Sequence, residues 1–246
     1  MSTDHDNDAF PMRLNKYLAH EGVATRRDAD ELIKRGIVHI NGKRAVLGDK
    51  VNEGDVVELS RGKRAKKALR YAAYHKPRGV ITHSPDADEE DIREVVKKYS
   101  ELHGLFPVGR LDKDSHGLII LTDDGRITDR LLNPDRVHEK EYVVKVREPL
   151  RESFKLHMEA PINLGDFVTK PCRVQVTGER EFRITLTEGK KHQVRRMAEA
   201  MHLTVTDLKR VRIMNVRLAG IPEGGFRMLT GDELSEFLAA LELPPA

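Results

Sequence analysis

The sequence predicts an α+β protein in which a small, basic module precedes a larger domain. The larger domain is expected to contain a large mixed, mainly antiparallel sheet flanked by helices, because strand-like alternation and helical periodicity follow one another from residue 71 onward. A chain of 246 residues, 39% of them hydrophobic, is long enough for one small and one medium domain. We divide it into a disordered tail (1–10), a basic module (11–60), a linker (61–70) and a main domain (71–246).

The basic module is predicted to form two helices and a small sheet. Gly22 separates the helices, Thr25 and Asp28 form a capping-box pattern, and Gly36 ends the second helix. The predicted elements are a helix from Met12 with Leu14, Tyr17 and Leu18 on one face, a helix through Ala29, Leu32 and Ile33, the strand IVHI, an Asn41-Gly42 turn, a strand near Ala45–Leu47 and a strand at 51–59.

The main domain alternates strands and helices, and its last helix carries a capping-box pattern at Thr230 and Glu233. The predicted elements are two strands around a Pro-Gly turn in YAAYHKPRGVITH, a helix at 88–99, an extended LFPVGRL, a buried strand LIILT, a turn DDGR, a helix ITDRLLN, a strand EYVVKV, a helix RESFKLHM, strands FVTKPCRVQV and EFRITLT, a helix KKHQVRRMAEAMH, a strand VRIMNVRLAGI and a closing helix TGDELSEFLAALEL.

The composition excludes several classes of protein. Cys172 is the single cysteine, so an intrachain disulfide and a cysteine zinc site are excluded, and the 11 histidines lack paired metal-ligand spacing. No apolar run approaches the roughly 20 residues of a membrane span, and the acidic start lacks the features of a signal peptide. We therefore expect a cytoplasmic protein without a metal, and a monomer by default.

Charge is distributed unevenly along the chain. Residues 11–70 hold 15 Lys or Arg against 8 Asp or Glu, whereas residues 71–246 hold 28 against 29. A basic module before a neutral body predicts binding to a polyanion such as RNA, and the alternative is a solvated charged surface. The basic residues near helix ends and at the hairpin turn, which we predict to contact phosphates, are Arg13, Lys16, Arg26, Arg27, Lys34, Arg35, Lys43 and Arg44.

This module resembles a known RNA-binding unit. The run RLNKYLAHEGVATRRDADELIKRGIVHINGKRA, followed by VNEGDVVEL, is similar to the αL (S4-like) module of a ribosomal small-subunit protein and of tyrosyl-tRNA synthetase. The linker SRGKRAKKALR carries six basic residues and is expected to be mobile and able to reach phosphates.

The stretch GRLDKDSHGLIILTDDG holds four aspartates, which allow three interpretations. An EF-hand count from Asp112 places His116 at position five and Asp123 at position twelve, both poor choices, and no helix precedes the loop. Asp123 and Asp124 fit a turn before Gly125. Asp112 remains either a turn residue or a reactive carboxylate that its basic neighbours keep ionised.

The same stretch resembles the signature of pseudouridine synthases, in particular the RsuA/RluF branch. HKPRG, KEYVV and EGKKHQVRRM are similar to three further motifs of that family and occur in the family's order. Two residues depart from the pattern: His75 stands where asparagine is usual, and Lys190 stands where arginine is frequent. The resemblance covers residues 12–240 and, together with the basic module, indicates a ribosomal RNA-modifying enzyme.

The resemblance implies roles for individual residues. Asp112 is the implied catalytic carboxylate, as a nucleophile at ribose C1′ or a base at C2′, and no cofactor is needed because no redox step occurs. Tyr142 is the implied platform for the flipped base, and Arg195 is the expected ion-pair partner of Asp112. Further RNA contacts are expected from Lys76, Arg110, His192 and Gln193.

These features lead to two hypotheses about function. The first is an RNA pseudouridine synthase that acts on one uridine, most simply in large-subunit ribosomal RNA, with transfer RNA as a further candidate. The second is a non-catalytic RNA-binding or ribosome-assembly factor with the same fold, and the intact Asp112, Tyr142 and Arg195 argue against it.

Overall fold

The computed structural model describes residues 10–21, 23–24, 26–59, 68–82, 91–133 and 136–244. The predicted tail up to residue 9, the helix break at Gly22, the cap at Thr25 and most of the linker lie outside the described residues. The chain divides into two compact units, the first comprising residues 1–69 with 123–127 and the second comprising 70–122 with 128–246.

The first unit contains two helices and two small sheets. Its elements are β1 (Met12–Arg13), α1 (Leu14–His20), α2 (Arg26–Lys34), β2 (Val38–Ile40), β3 (Lys43–Arg44), β4 (Lys50–Val51) and β5 (Val57–Leu59). Strand β1 pairs with β4, and the other sheet has the order β3-β2-β5. The core beneath them is formed by Leu14, Leu18, Ala29, Ile33, Val38, Ala45 and Val51, so the apolar positions of both predicted helices are confirmed.

Three predicted boundaries in this unit are wrong. Helix α1 begins at Leu14, because Met12 is extended and pairs with Val51. The Asn41-Gly42 turn is confirmed, with φ of 51° and 75°, but so tight a turn starts the return strand at once, at Lys43–Arg44 instead of Ala45–Leu47. The predicted strand at 51–59 divides into β4 and β5 around a turn at Gly54, where φ is 87°.

The second unit has a nine-stranded sheet with helices against it. Its elements are β6 (Tyr71–Lys76), α3 (Ile92–Val96), a 3-10 turn (Ser100–Leu102), β7 (Phe106–Val108), β8 (His116–Thr122), α4 (Arg126–Leu132, which begins in the first unit), β9 (Lys140–Val146), α5 (Phe154–Glu159), β10 (Arg173–Gly178), β11 (Glu181–Leu186), α6 (Gln193–Ala200), β12 (Val205–Ile213), β13 (Val216–Arg217), β14 (Phe226–Met228) and α7 (Gly231–Ala240).

Strand β8 lies near the centre of this sheet, in which seven strands have the order β10-β11-β9-β12-β8-β6-β14, while β7 pairs with β8 and β13 pairs with β12. It pairs antiparallel with β6 and β7 and parallel with β12, so the sheet is mixed and mainly antiparallel, as predicted. All seven residues of β8 are buried, which requires both faces of the sheet to be covered at this point. Within the described ranges, no helix has both the length and the apolar character needed to cross a membrane.

Several elements differ from the prediction. Among the described residues that follow the Pro-Gly turn, Ile81 forms an isolated bridge with Asp91, and α3 ends at Val96, before the predicted end at residue 99. VRIMNVRLAGI is part of a hairpin, because Met214 adopts φ of 52° and turns the chain from β12 into β13. Thr230 does begin α7, but its side chain makes no cap hydrogen bond, and the Glu233 carboxylate instead pairs with Arg227.

Candidate active site

The loop between β7 and β8, residues 109–115, carries Asp112 to the edge of the central strands. Gly109, with φ of 80°, turns the chain out of β7. The amide of Ser115 donates to the carbonyl of Asp112 at 3.0 Å, which closes a turn around the aspartate. Ser115 is fully buried, whereas the Asp112 side chain is 36% exposed. The loop therefore has a buried base and presents two carboxylates, the partly exposed Asp112 and the exposed Asp114.

Residues that follow β6 form hydrogen bonds with the backbone of this loop. The buried Thr82 hydroxyl donates to the carbonyl of Leu111 at 2.9 Å and accepts from the amide of Leu111 at 3.2 Å. The amide of Gly79 donates to the carbonyl of Lys113 at 2.9 Å. The backbone on both sides of Asp112 is thereby bonded to the turn that follows β6.

Arg210 of β12 contacts the start of the same loop and strand β8, which follows it. Its Nε donates to the carbonyl of Leu118 at 2.7 Å and its Nη1 to the carbonyl of Arg110 at 3.3 Å. Arg210 pairs with Gly117 across the parallel strands, and there Gly117 adopts φ of 110°. A Cβ at Gly117 would lie 2.3 Å from the carbonyl oxygen of Arg210, so only glycine allows this close approach.

Arg195 of α6 reaches the loop but does not pair with Asp112. Its Nη2 lies 3.3 Å from both the carbonyl of Asp114 and the hydroxyl of Ser115. Among the described residues no ion pair within 4.0 Å joins Arg195 to Asp112, so the predicted pair is wrong for this structure. The guanidinium is instead engaged by loop atoms two and three residues further along the chain.

His192 takes the place expected of Arg195. It precedes α6 with φ of 53°, and its Nε2 lies 3.4 Å from Oδ1 of Asp112, an ion pair when the imidazole is protonated. Its side chain is 49% exposed. His192 therefore contacts the candidate catalytic carboxylate, and the RNA contact expected of it stays a prediction.

Tyr142 lies at the centre of β9, where it is opposite Ile184 of β11 and Arg210 of β12. It is buried, and it belongs to the same core cluster as Leu111, the residue before Asp112. The fold therefore brings the candidate aromatic platform and the candidate carboxylate to one region of the sheet.

Lys76 is fully buried at the end of β6. Its Nζ donates to the carbonyls of Pro77 at 2.9 Å and Val80 at 2.7 Å. Burial lowers the pKa of Lys76 to about 8, opposed by the nearby carboxylate of Asp112 and reinforced by the charge of Arg210. An RNA contact by Lys76 is contradicted, because its ammonium faces the interior and two backbone oxygens hold it.

The predicted RNA contact by Gln193 is also contradicted. Its side chain is buried, its Nε2 donates to Glu188 Oε1 at 2.6 Å, and its Oε1 accepts from the amide of Lys190 at 3.0 Å. Gln193 thus orders the loop before α6 and is not available to RNA. Arg110 is exposed, as an RNA contact requires.

His75, the residue that departs from the family pattern, lies inside the protein as part of a polar chain. It stacks on His116 with ring centroids 5.7 Å apart, and Nε2 of His75 lies 3.4 Å from Nδ1 of His116. His116 Nε2 lies 2.8 Å from Oδ1 of Asp207, which also pairs with Arg78. Burial lowers the pKa of His75, although its bond to the carbonyl of Ile221 raises it.

The candidate RNA-contacting residues of the first unit lie mostly on its surface. Lys34 pairs with Glu31 at 2.7 Å, which raises the pKa of Lys34 through that hydrogen bond, and Arg44 Nη2 lies 3.5 Å from the carbonyl of Lys34. Lys16 is half-buried, and Arg27 belongs to α2. The exposed members are Arg13, Arg26, Lys34, Arg35, Lys43 and Arg44.

Sequence reasoning missed Thr82 and Arg210. The signal for Arg210 was its position in the strand. It lies two residues after Leu208, which faces inward, and strand alternation therefore predicts that Arg210 faces inward too. Thr82 carried no signal, because its role depends on a backbone 29 residues away.

Comparisons with known proteins agree with this geometry. The family model for RNA pseudouridylate synthase matches residues 70–200, and the S4 domain model matches residues 12–57. The dual-specificity RNA pseudouridine synthase RluF of Salmonella typhi is 43% identical, over 94% of this chain and 80% of its own length. Ribosomal large subunit pseudouridine synthase B of Bacillus subtilis is 36% identical, over 92% and 96%.

A solved structure supports the same assignment. A crystal structure of a pseudouridylate synthase superposes with a TM-score of 0.67 at 29% identity, covering 94% of this chain and 99% of its own. With a family model that covers more than half of the sequence and relatives above 40% identity, the chain belongs to the RNA pseudouridylate synthase family, in its RsuA/RluF branch, and carries an S4 domain at its amino-terminal end.

Proposed function

We propose that this enzyme converts a specific uridine of large-subunit ribosomal RNA to pseudouridine, with Asp112 as the catalytic carboxylate. The observation that carries the proposal is the partly exposed carboxylate of Asp112, which lies on a loop whose backbone on both sides of it is bonded to Thr82, Arg195 and Arg210. Positioning of this kind is what a carboxylate needs to reach one atom of a bound ribose.

The reaction breaks the bond from ribose C1′ to base N1 and forms a bond from C1′ to C5. Asp112 either attacks C1′ as N1 leaves and is later displaced by C5, or removes the C2′ proton as N1 leaves, which forms a glycal whose C1′ then bonds to C5 while Asp112 returns the proton to C2′. Because the C5 proton is lost and a proton returns to N1, the atoms balance without a cofactor. His192, when protonated, supplies a cation 3.4 Å from the carboxylate.

Tyr142 and Arg195 take supporting roles in this proposal. The target base must leave its stack to bring C1′ to Asp112, and a tyrosine ring beside the loop offsets part of the unstacking cost. Arg195 holds the loop through the carbonyl of Asp114 and the hydroxyl of Ser115, and so positions Asp112 without pairing with it.

The S4 domain docks the substrate. Exposed basic residues at the ends of its helices and at its hairpin turn neutralise phosphates without reading sequence. The names of the relatives, a dual-specificity RNA enzyme and a large-ribosomal-subunit enzyme, support large-subunit ribosomal RNA as substrate, with transfer RNA as the second class to test. We place the enzyme in the cytoplasm, as a monomer.

The test is tritium release from transcribed ribosomal RNA labelled at C5 of uridine. Wild type should release tritium, Asp112→Asn should reduce the rate at least about 1,000-fold, and Asp114→Asn should retain most of it, because that exposed side chain makes no described contact. Equal rates for Asp112→Asn and wild type would refute the role of Asp112. Tight RNA binding by wild type without tritium release from any RNA would favour the non-catalytic assembly factor.

A further inference from the structure

The guanidinium of Arg210 is buried without a carboxylate partner among the described residues. Arg210 is 4% exposed, yet no Asp or Glu oxygen in the described part of the chain lies within 4.0 Å of it. Arg212, two residues further along β12, pairs with both Glu139 and Glu141 at 2.9 Å. A buried charge is costly when it is unpaired, so the unpaired state of Arg210 requires an explanation.

The hydrogen bonds of Arg210 connect the start of the Asp112 loop to strand β8, which follows the loop. Nη1 binds the carbonyl of Arg110, two residues before Asp112, and Nε binds the carbonyl of Leu118, six residues after it. The guanidinium is planar and its donors have a fixed geometry, so two carbonyls bound to it are fixed relative to each other. A flexible ammonium could neutralise charge here, but it could not set this spacing.

The third nitrogen of Arg210 also lies in the interior. Nη2 is buried and has no hydrogen-bond partner among the described residues. Its field also reaches neighbouring lysines: burial, together with the charge of Arg210, lowers the pKa of Lys76 and of Lys140 to about 8. Of the acidic groups that act on Lys76, Asp112 has the largest effect, so Asp112 and Arg210 both lie near one buried amine.

We propose that Arg210 is a positioning residue for Asp112, which ties the start of the catalytic loop to strand β8 and supplies a buried positive charge behind it. The inference rests on the proposed function of Asp112. Arg195, by comparison, binds the end of the loop, at the carbonyl of Asp114 and the hydroxyl of Ser115. Arg210 therefore governs where Asp112 stands relative to the central strands.

The experiment compares Arg210→Gln and Arg210→Lys with Arg212→Gln, a matched change of a mostly buried arginine on the same strand. We expect Arg210→Gln to lower kcat about 100-fold with KM within about threefold, because misplacement of a reacting group costs this much. Arg210→Lys keeps the charge but loses the planar geometry, and should lower kcat about tenfold. Arg212→Gln should lower the melting temperature with kcat within about threefold of wild type.

Hydrogen exchange gives a second readout that a general loss of stability would not mimic. Amides of residues 111–117 should exchange at least about tenfold faster in Arg210→Gln, while those of β9 and β11 keep their wild-type rates. If Arg210→Gln does not fold, Arg210→Lys carries the test. Wild-type kcat in either Arg210 variant, or an equal fall of kcat in Arg212→Gln, would overturn the inference.

Asp112→Asn measured in parallel separates the two proposals. If Asp112→Asn is inactive and Arg210→Gln is fully active, the role of Arg210 is refuted and that of Asp112 stands. If Asp112→Asn keeps wild-type activity, the proposed function of Asp112 is refuted, whatever Arg210→Gln does.

Discussion

The buried ammonium of Lys76 should make the stability of the second unit depend on pH in the alkaline range. Burial lowers its pKa from 10.5 to about 8. Between these values Lys76 is neutral in the folded protein and charged in the unfolded chain, so the unfolded chain binds more protons. Raising the pH therefore favours the folded state. The free-energy cost of burying the charged Lys76 ammonium is fully present below pH 8 and is lost above pH 10.5.

The size of this effect follows from the shift and from two hydrogen bonds. A shift from 10.5 to about 8 corresponds to at most roughly 3 kcal/mol. Lys76→Met removes that penalty but leaves the carbonyls of Pro77 and Val80 without their donor, at about 1 kcal/mol each. The variant should be about 1 kcal/mol more stable than wild type at pH 7. At high pH, where wild type no longer carries the cost of the buried charge, the variant should be about 2 kcal/mol less stable than wild type.

Urea unfolding at several pH values between 7 and 10.5 measures this crossover. The difference between variant and wild type is the informative quantity, because groups that titrate alike in both proteins cancel. Lys97→Met is the matched control, since that exposed lysine pairs with Glu94 on the surface and its difference from wild type should change little. A Lys76→Met difference that stays constant within about 0.5 kcal/mol across this range would refute the reasoning.

Three further predictions follow from the site and the S4 domain. Gly117→Ala should destabilise the second unit by about 3 kcal/mol or more in urea unfolding, because its Cβ meets the backbone of Arg210 at a φ of 110°. Gln193→Ala should cost about 2 kcal/mol, since it leaves the Glu188 carboxylate buried without that donor, and filter binding should show unchanged RNA affinity. Arg35→Glu should weaken RNA binding and flatten its salt dependence by about one unit per lost phosphate contact, with kcat at saturating RNA unchanged.

Each of these predictions has a control and a contrary result. Gly189→Ala, where a Cβ meets nothing within 4 Å, should leave stability nearly unchanged, and an equal loss there would argue against the close approach at Gly117. A fall in RNA affinity for Gln193→Ala at full stability would restore Gln193 as an RNA contact. An unaltered salt slope for Arg35→Glu would remove that residue from the docking surface.

Local chemistry accounts for what could be predicted. The Asn41-Gly42 turn, the buried strand within LIILT and the amphipathic helix that contains Val194 depend on residues close together in the sequence. The motif residues Asp112 and Tyr142 were found for the same reason, because each lies in a short run that resembles the family. Boundaries failed where a strand pair between distant segments decided them, as at Met12 and Val51.

The sequence by itself determined the class of the fold, the order of its elements, the basic character of the first unit and the candidate carboxylate, since periodicity, composition and motifs are properties of short segments. Only the tertiary structure decided what holds that carboxylate. The parallel pairing of β8 with β12 places Arg210 against a loop 100 residues earlier in the chain. The turn that leads into α6 places His192, instead of Arg195, beside Asp112. Strand order and packing likewise decided that Lys76 and Gln193 are buried. The sequence does not determine this, because a lysine or a glutamine can lie on a surface or in a core, and only its neighbours in the fold decide which.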